Sequence, residues 1–352
     1  MKLDYYQRAG FFLAWTIAGT ASAFAQTKPC VPPSLSVSGG TTASTNCSTG
    51  TLLADQYPGD VGISGDSDVL WAENFEEGAV SAVTSRYSDS NNPAGMSLTT
   101  DIPTKSRGKA SMKLTSGGAG AGTTDFFKNF GAGMDEMYVR YYAKYQSGAA
   151  WHHTSVWMGG YNPPMNWAYP RAGLKPNGDE RFSVAFEPVT VGNNVQLDFY
   201  NYWMGMHSWM GAPSGDTAYY GNSFLQDTSA KAPDNAWVCV ELHMKLNPDG
   251  ASATGGELGV WLNDASLQQF TSTAPRGYWM LDKFCPENTT NSTCTSYRTS
   301  STPLTPLDLR YRSTTALKLN YIWVQNYITD APAGSVWFDD LVVAKRRIGC
   351  LR

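Results

Sequence analysis

Charged residues are sparse in this chain and form no basic run. They make up 16% of the 352 residues, and the formal net charge is −4 at pH 7. Proteins that bind nucleic acid carry a clustered surplus of lysine and arginine, which neutralises phosphates. We therefore expect no nucleic-acid partner.

Long hydrophobic runs are also missing. The apolar run at 11–18 is much shorter than the roughly 20 residues that a membrane-spanning helix needs. Lys2 and Arg8 precede this run, and small residues follow it as far as Ala25. This order predicts a signal peptide at residues 1–25, with an uncleaved anchor as the alternative. We expect a secreted protein, extracellular or periplasmic, with no membrane partner.

Cysteines with the Cys-x-x-Cys spacing are absent, which argues against a thiolate zinc site. Six cysteines are present, and an even number in an exported chain favours disulfides. Other connectivities remain open, but proximity along the chain suggests three pairs: Cys30–Cys47, Cys285–Cys294 and the remaining Cys239–Cys350.

Helical periodicity is almost absent, whereas alternation of apolar and polar residues recurs. Between Trp237 and Asn247, valine, leucine and methionine occupy every second position, as in a strand with one buried face. Many such short runs, separated by turn residues, favour an antiparallel sandwich. Residues 26–66 are rich in threonine, serine and glycine and predict an extension with a disulfide loop. We place the folded domain at residues 67–352.

Three segments, in this order, resemble the concanavalin-A-like jelly roll of secreted glucanases, polysaccharide lyases and sugar-binding modules. They are an opening strand at 69–78, the strand that begins at Trp237, and a closing strand at 337–343. The Phe-Glu-x-Gly opening and the late Asp-Asp strand are similar to jelly-roll glucuronan and alginate lyases. The resemblance implies an all-β fold of two antiparallel sheets with a concave groove.

The same resemblance implies a structural calcium ion that joins the opening strand to the closing one. Glu76 and Asp340 lie where its ligands are expected, and carboxylate oxygens suit this hard cation. The alternative is that these acids only cap the ends of strands. We expect no cofactor for catalysis.

Catalytic motifs of the resembled families are missing. The chain has neither the Glu-x-Asp-x-x-Glu strand of laminarinase-like glucanases nor the Arg-x-Glu-x-Arg and Gln-Ile-His motifs of alginate lyases. Gly-x-Ser-x-Gly, His-Glu-x-x-His and the P-loop are absent too. No catalytic residue can therefore be transferred by motif, and the candidates must come from side-chain chemistry.

Two adjacent histidines, His152 and His153, lie in an aromatic run just before a long loop. Imidazole suits proton transfer near neutral pH. Alternation groups His153 with Trp157 and predicts that His152 points to the opposite face. We predict His153 as a general base and Trp157 as a stacking platform for a sugar ring. A structural hydrogen bond or a metal site are the alternatives for these histidines.

Polar faces of three further strands supply the remaining candidates. Arg140 is predicted to neutralise a uronate carboxylate, and Tyr200 or Tyr202 to act as the acid. Glu187 ends a strand that alternates small and apolar residues, and it is a candidate carboxylate. A solvated outer face is the alternative for Arg140 and its neighbours. The predicted substrate-binding residues besides Trp157 are Tyr142, Lys144, Asp198, Trp167 and Arg171, the last two on a long loop.

Together these features predict a secreted endo-lyase that cleaves a uronate-containing polysaccharide by β-elimination. One alternative is a glycoside hydrolase that uses Glu187 with Asp198 or Glu241 as its carboxylate pair. Another is a non-catalytic carbohydrate-binding module. We expect a monomer whose partner is a polysaccharide.

Overall fold

The computed structural model describes residues 51–116, 122–191, 194–209, 219–225, 230–231, 233–248, 255–271 and 309–352. The predicted signal peptide and the pairs Cys30–Cys47 and Cys285–Cys294 lie outside these residues. In the part of the chain that is described, no helix has the length and apolar character needed to cross a membrane.

Strands dominate the described residues, and the two α-helices, α1 and α2, are short. The helices are Leu53–Gln56 and Val80–Thr84. The strands β1 to β14 are, in order, Val69–Glu73, Asp89–Asn91, Met96–Thr99, Ser111–Thr115, Thr124–Met134, Glu136–Tyr145, His153–Tyr161, Arg181–Val191, Asn194–Tyr202, Trp237–Lys245, Glu257–Leu262, Ala265–Phe270, Leu319–Tyr327 and Ser335–Ala344.

These strands form two antiparallel sheets. The eight-stranded sheet has the order β12–β11–β10–β6–β14–β4–β3, with β1 also paired to β14. The six-stranded sheet has the order β2–β5–β13–β7–β8–β9. The opening strand β1 thus pairs with the closing strand β14, as the resemblance implies. The predicted all-β sandwich of two antiparallel sheets is confirmed.

Alternating residues of both sheets fill the core between them. In β6, Val139, Tyr141 and Ala143 are fully buried, and in β13 Ile322 and Val324 belong to the same apolar cluster. Burying each large apolar side chain contributes about 1.5–3 kcal/mol. Because side chains alternate along a strand, the residues between these positions point to the outer faces of the sheets.

The outer face of the eight-stranded sheet is covered by chain segments near both ends of the described domain. Leu53 of α1 packs with Val342, Ala344 and Ile348 in one buried cluster. Residues 51–66, within the predicted extension, therefore contact the sheet directly. On the same side, the Cys239–Cys350 disulfide joins β10 to the C-terminal segment, so this predicted pair is confirmed.

Candidate active site

The outer face of the six-stranded sheet carries a second aromatic cluster, which we call the aromatic face. Trp157 of β7 lies directly opposite Trp323 of β13. Met165 and Ala168, from the loop after β7, pack against the cluster. Each member lies on a strand next to a residue that points into the core, so its own side chain points outward. The members are Phe127, Trp157, Tyr161, Ala185, Tyr321 and Trp323.

His153 lies beside this cluster, at the first position of β7. Its Nδ1 is 2.9 Å from Oε1 of Glu187 on β8. The Glu187 side chain is 1% exposed and that of His153 is 18% exposed. Burial raises the pKa of Glu187, while the nearby His153 and the backbone N–H of Thr154 oppose that rise. The pair thus combines a buried carboxylate with an imidazole that reaches the surface.

Tyr200 of β9 stands next to His153, and Tyr202 of the same strand stands next to Tyr200. The ring centroid of Tyr200 is 4.7 Å from that of His153 and 5.7 Å from that of Tyr202. Burial raises the pKa of Tyr202 to about 12 and that of Tyr200 well above its ordinary value. Both phenols therefore keep their protons at neutral pH and can act as proton donors. The structure brings His153, Trp157, Glu187, Tyr200 and Tyr202 together.

Three buried polar atoms around His153 have no hydrogen-bond partner among the described residues. They are Nε1 of Trp157, Oε1 of Gln325 and Oε2 of Glu187. Buried polar groups are nearly always hydrogen-bonded in folded proteins, so unsatisfied ones at one place are expected to meet a ligand or water. Gln325 lies across from Ser155 and Asp125 on the neighbouring strands. It was missed in the sequence, although it continues the outward series of Tyr321 and Trp323 on β13.

Asp198 lies directly opposite Glu187 but is held by the backbone. Its Oδ1 accepts hydrogen bonds from the N–H groups of Phe199, Phe224 and Leu225. The residue is fully buried. These bonds fix the strand to a neighbouring segment, so Asp198 has a clear structural role here.

Arg140, Tyr142 and Lys144 lie on the other sheet, away from His153. Arg140 is fully buried and ion-paired with Asp60, and Lys144 is ion-paired with Asp101. The expected grouping of Arg140 with His153 is therefore corrected. These residues lie on one face of β6 as predicted, but that face belongs to the eight-stranded sheet, where Asp60 meets Arg140, Leu351 meets Tyr142 and Asp101 meets Lys144.

Tyr142 and Glu241 also serve the covered face. The hydroxyl of Tyr142 accepts a hydrogen bond from the N–H of Leu351 at 2.9 Å. Glu241 accepts hydrogen bonds from the N–H groups of Ile348 and Gly349 and pairs with Arg347. Because Glu241 and Glu187 lie on different sheets, they cannot form one carboxylate pair.

His152 does not point away from His153. The two imidazole centroids are 3.9 Å apart, and both rings contact Tyr327. The predicted orientation is wrong because β7 begins at His153, so strand alternation does not extend to His152. Burial, with a smaller contribution from His153, lowers the pKa of His152 to about 4.

The loop after β7 carries the two remaining substrate-binding candidates. Trp167 is 51% exposed, and Arg171 lies over the ring of Tyr169, which is 47% exposed. Asn166 of this loop bonds to Asn129 of β5 at 2.9 Å. This bond holds the loop beside the aromatic face. Trp167 therefore lies near the first residues of β13, whereas His153 lies beside its last residue, Tyr327.

The predicted calcium ligands lie beside a cavity of about 450 Å³, which Asp60 and Glu73 also line. Oε1 of Glu76 accepts hydrogen bonds from the N–H groups of Lys109 and Ala110. Oδ2 of Asp340 is buried without a partner among the described residues. Within the described ranges, no three acidic, histidine or cysteine side chains are grouped as metal ligands. The calcium ion stays a prediction.

Comparisons with known proteins bear on the fold. No family model matches the chain, and no curated protein matches it. Among solved structures, alginate lyase Aly36B is 11% identical with a TM-score of 0.50, covering 79% of this chain and 98% of its own. The PL-14 alginate lyase from Aplysia kurodai is 13% identical with a TM-score of 0.49, covering 80% and 100%. The likeness to the Aly36B structure confirms the predicted resemblance to the alginate lyase jelly roll as a fold.

Proposed function

We propose that this protein is a secreted polysaccharide lyase that cleaves uronate-containing chains by β-elimination. The observation that carries the proposal is the arrangement on the aromatic face, where an imidazole bound to a buried carboxylate lies against a protonated tyrosine. His153 is the base and Tyr200 the acid. The fold shared with alginate lyases adds support, since it is a fold on which such enzymes are built.

The reaction needs one proton removed and one supplied. His153 takes the proton from C5 of the uronate, and the electron pair forms the C4–C5 double bond. The bond from C4 to the glycosidic oxygen breaks, and Tyr200 gives its proton to that oxygen. The 4.7 Å between the two rings allows both groups to reach one sugar residue.

Neutralising the substrate carboxylate makes the C5 proton acidic, and preorganised donors at such a position contribute most to catalysis. Arg140 cannot act there, because it lies on the other sheet. The indole N–H of Trp157 is a buried donor without a protein acceptor among the described residues, and its ring is 5.9 Å from His153. We assign the carboxylate contact to the indole N–H of Trp157.

A glycoside hydrolase has less support. It would need a second available carboxylate near Glu187. Asp198 is committed to three backbone N–H groups, and Glu241 lies on the other sheet.

One assay distinguishes a lyase from a hydrolase and from a binding module. The secreted protein is incubated with a panel of neutral and uronic polysaccharides, and both ultraviolet absorbance and reducing ends are followed. A lyase produces new absorbance from the unsaturated product on uronic polymers. Reducing ends without absorbance would indicate a hydrolase, and retention on a polymer without products would indicate a binding module.

A further inference from the structure

Glu187 is held within hydrogen-bonding distance of His153. Oε1 lies 2.9 Å from Nδ1 of His153, and the backbone N–H of Thr154 favours the ionised form of the carboxyl by lowering its pKa. An ionised carboxylate only accepts hydrogen bonds. Its partner nitrogen on the imidazole must therefore carry the proton.

The proton position decides what His153 can do. In a neutral imidazole, a proton on Nδ1 leaves Nε2 with a free electron pair. No hydrogen bond to Nε2 is formed by the described residues, whereas Nδ1 is used by Glu187. We infer that Glu187 is a positioning residue that holds the His153 proton on Nδ1 and thereby leaves Nε2 as the base. This inference rests on the proposed lyase function for its catalytic consequence.

The opposite arrangement is chemically possible and makes the inference testable. Burial favours the protonated form of Glu187, and a protonated carboxyl would donate to Nδ1. The imidazole proton would then sit on Nε2, and His153 could not accept a proton there. The two arrangements differ by one proton and place the imidazole proton on opposite nitrogens, so a measurement of the tautomer separates them.

The molecule contains a matched control. His243 contacts Glu136 at 2.9 Å on the eight-stranded sheet, but through Nε2, and the Glu136 side chain is 40% exposed. Glu136→Gln therefore removes a comparable carboxylate far from the aromatic face. Glu187→Gln removes the charge while keeping the side-chain size, and Glu187→Asp keeps the charge.

The experiment records nitrogen-15 spectra of the full-length protein labelled at histidine, at neutral pH, with His153→Ala used to assign the signal. We expect the wild-type His153 proton on Nδ1, and on Nε2 in Glu187→Gln, because an amide can donate to Nδ1. Glu136→Gln should leave the His153 signals unchanged. A wild-type proton on Nε2 would overturn the inference, whether or not the protein has lyase activity.

Kinetics tests the consequence. In Glu187→Gln we expect kcat for the unsaturated product to fall about 10²–10⁴-fold with KM within a few-fold of wild type, and Glu187→Asp to recover part of it. Thermal unfolding establishes that each variant is folded, and if Glu187→Gln is not, the tautomer of the wild-type protein decides the inference. Unchanged kcat with a changed tautomer would overturn the role. If no uronic polymer is cleaved by wild type while the tautomer is as expected, the proposed function fails and the positioning of His153 stands.

Discussion

His153 and His243 each lie 2.9 Å from a glutamate, on the outer faces of different sheets. The carboxylate of Glu187 is buried, whereas that of Glu136 is 40% exposed. His243 is stacked on Tyr138 at 4.3 Å, while His153 contacts Tyr200 of β9 and is 18% exposed. The His243–Glu136 pair is thus covered by a neighbouring side chain of its own sheet. The His153–Glu187 pair is accessible to a ligand.

Tryptophans show the same contrast. Nε1 of Trp237, on the eight-stranded sheet, donates to Asp101 at 2.9 Å. Nε1 of Trp157 is buried and lacks a partner among the described residues. Both sheets hold buried polar atoms without a partner among the described residues, including Nε and Nη1 of Arg140 on the eight-stranded sheet. What distinguishes the candidate active site is that its unsatisfied atoms lie beside an imidazole that is bonded to a buried carboxylate and is itself 18% exposed.

The largest expected effect is the difference in reaction rate between alanine variants of His153 and His243. His153→Ala should lower the rate of product formation about 10²–10⁴-fold, because the general base is removed, while His243→Ala stays near wild type. The check is the ultraviolet rate on a uronic polymer. Equal rates in the two variants would mean that the His153 cluster is structural.

Arg140 should matter for stability alone. Arg140→Leu leaves Asp60 buried without its partner, so we expect the free energy of unfolding to fall by about 3–5 kcal/mol. The pair of Arg346 and Asp68, whose side chains are 32% and 41% exposed, provides the control. Arg346→Ala should change the free energy of unfolding by about 1 kcal/mol or less. Denaturant titration measures both. A large loss of kcat in a folded Arg140→Leu variant would show that Arg140 takes part in the reaction.

Asp125 on β5 lies across from Gln325 and should make the stability of the protein depend on pH. Burial raises its pKa to about 6, against a hydrogen bond from the side-chain amide of Asn91. Because the folded pKa lies above the unfolded value of 3.8, its contribution to stability is complete below pH 4 and is lost as pH rises through 6. Asp125→Asn should therefore increase stability by about 3 kcal/mol at pH 8 and by little at pH 4. An equal change at both pH values in thermal unfolding would contradict this.

Two indole substitutions compare the faces directly. Trp157→Phe removes a donor without a protein acceptor, so binding of an oligouronate should weaken about 5- to 10-fold, and the smaller buried ring should lower the free energy of unfolding modestly. Trp237→Phe removes the bond to Asp101 and should leave binding unchanged. Calorimetric titration of both variants, with unfolding curves, provides the values. Weaker binding in Trp237→Phe alone would move the site to the other sheet.

The smallest expected effect concerns the cavity beside Glu76 and Asp340. If a calcium ion joins β1 to β14, chelation should lower the melting temperature by at least about 2 °C, and added calcium should restore it. An unchanged melting temperature would count against the ion.

Sequence patterns predicted the sheets well because alternation follows directly from strand geometry. Alternation grouped His153 with Trp157 on one strand and Tyr200 with Tyr202 on another, and the structure brings both groups to the aromatic face. The prediction for Arg140 was wrong because alternation assigns a face of one strand but does not say to which sheet the strand belongs. His152 failed because the strand begins one residue later, and Gln325 was missed because an isolated glutamine has no local signature.

The most direct test of the account is a titration of the full-length His153→Ala protein with an oligouronate, followed through the indole N–H signals of tryptophan. Substitution to phenylalanine assigns the signals of Trp157, Trp237 and Trp337. We predict a saturable shift of the Trp157 signal, with those of Trp237 and Trp337 unchanged. A shift confined to Trp237 and Trp337 would place the substrate on the eight-stranded sheet and contradict the account.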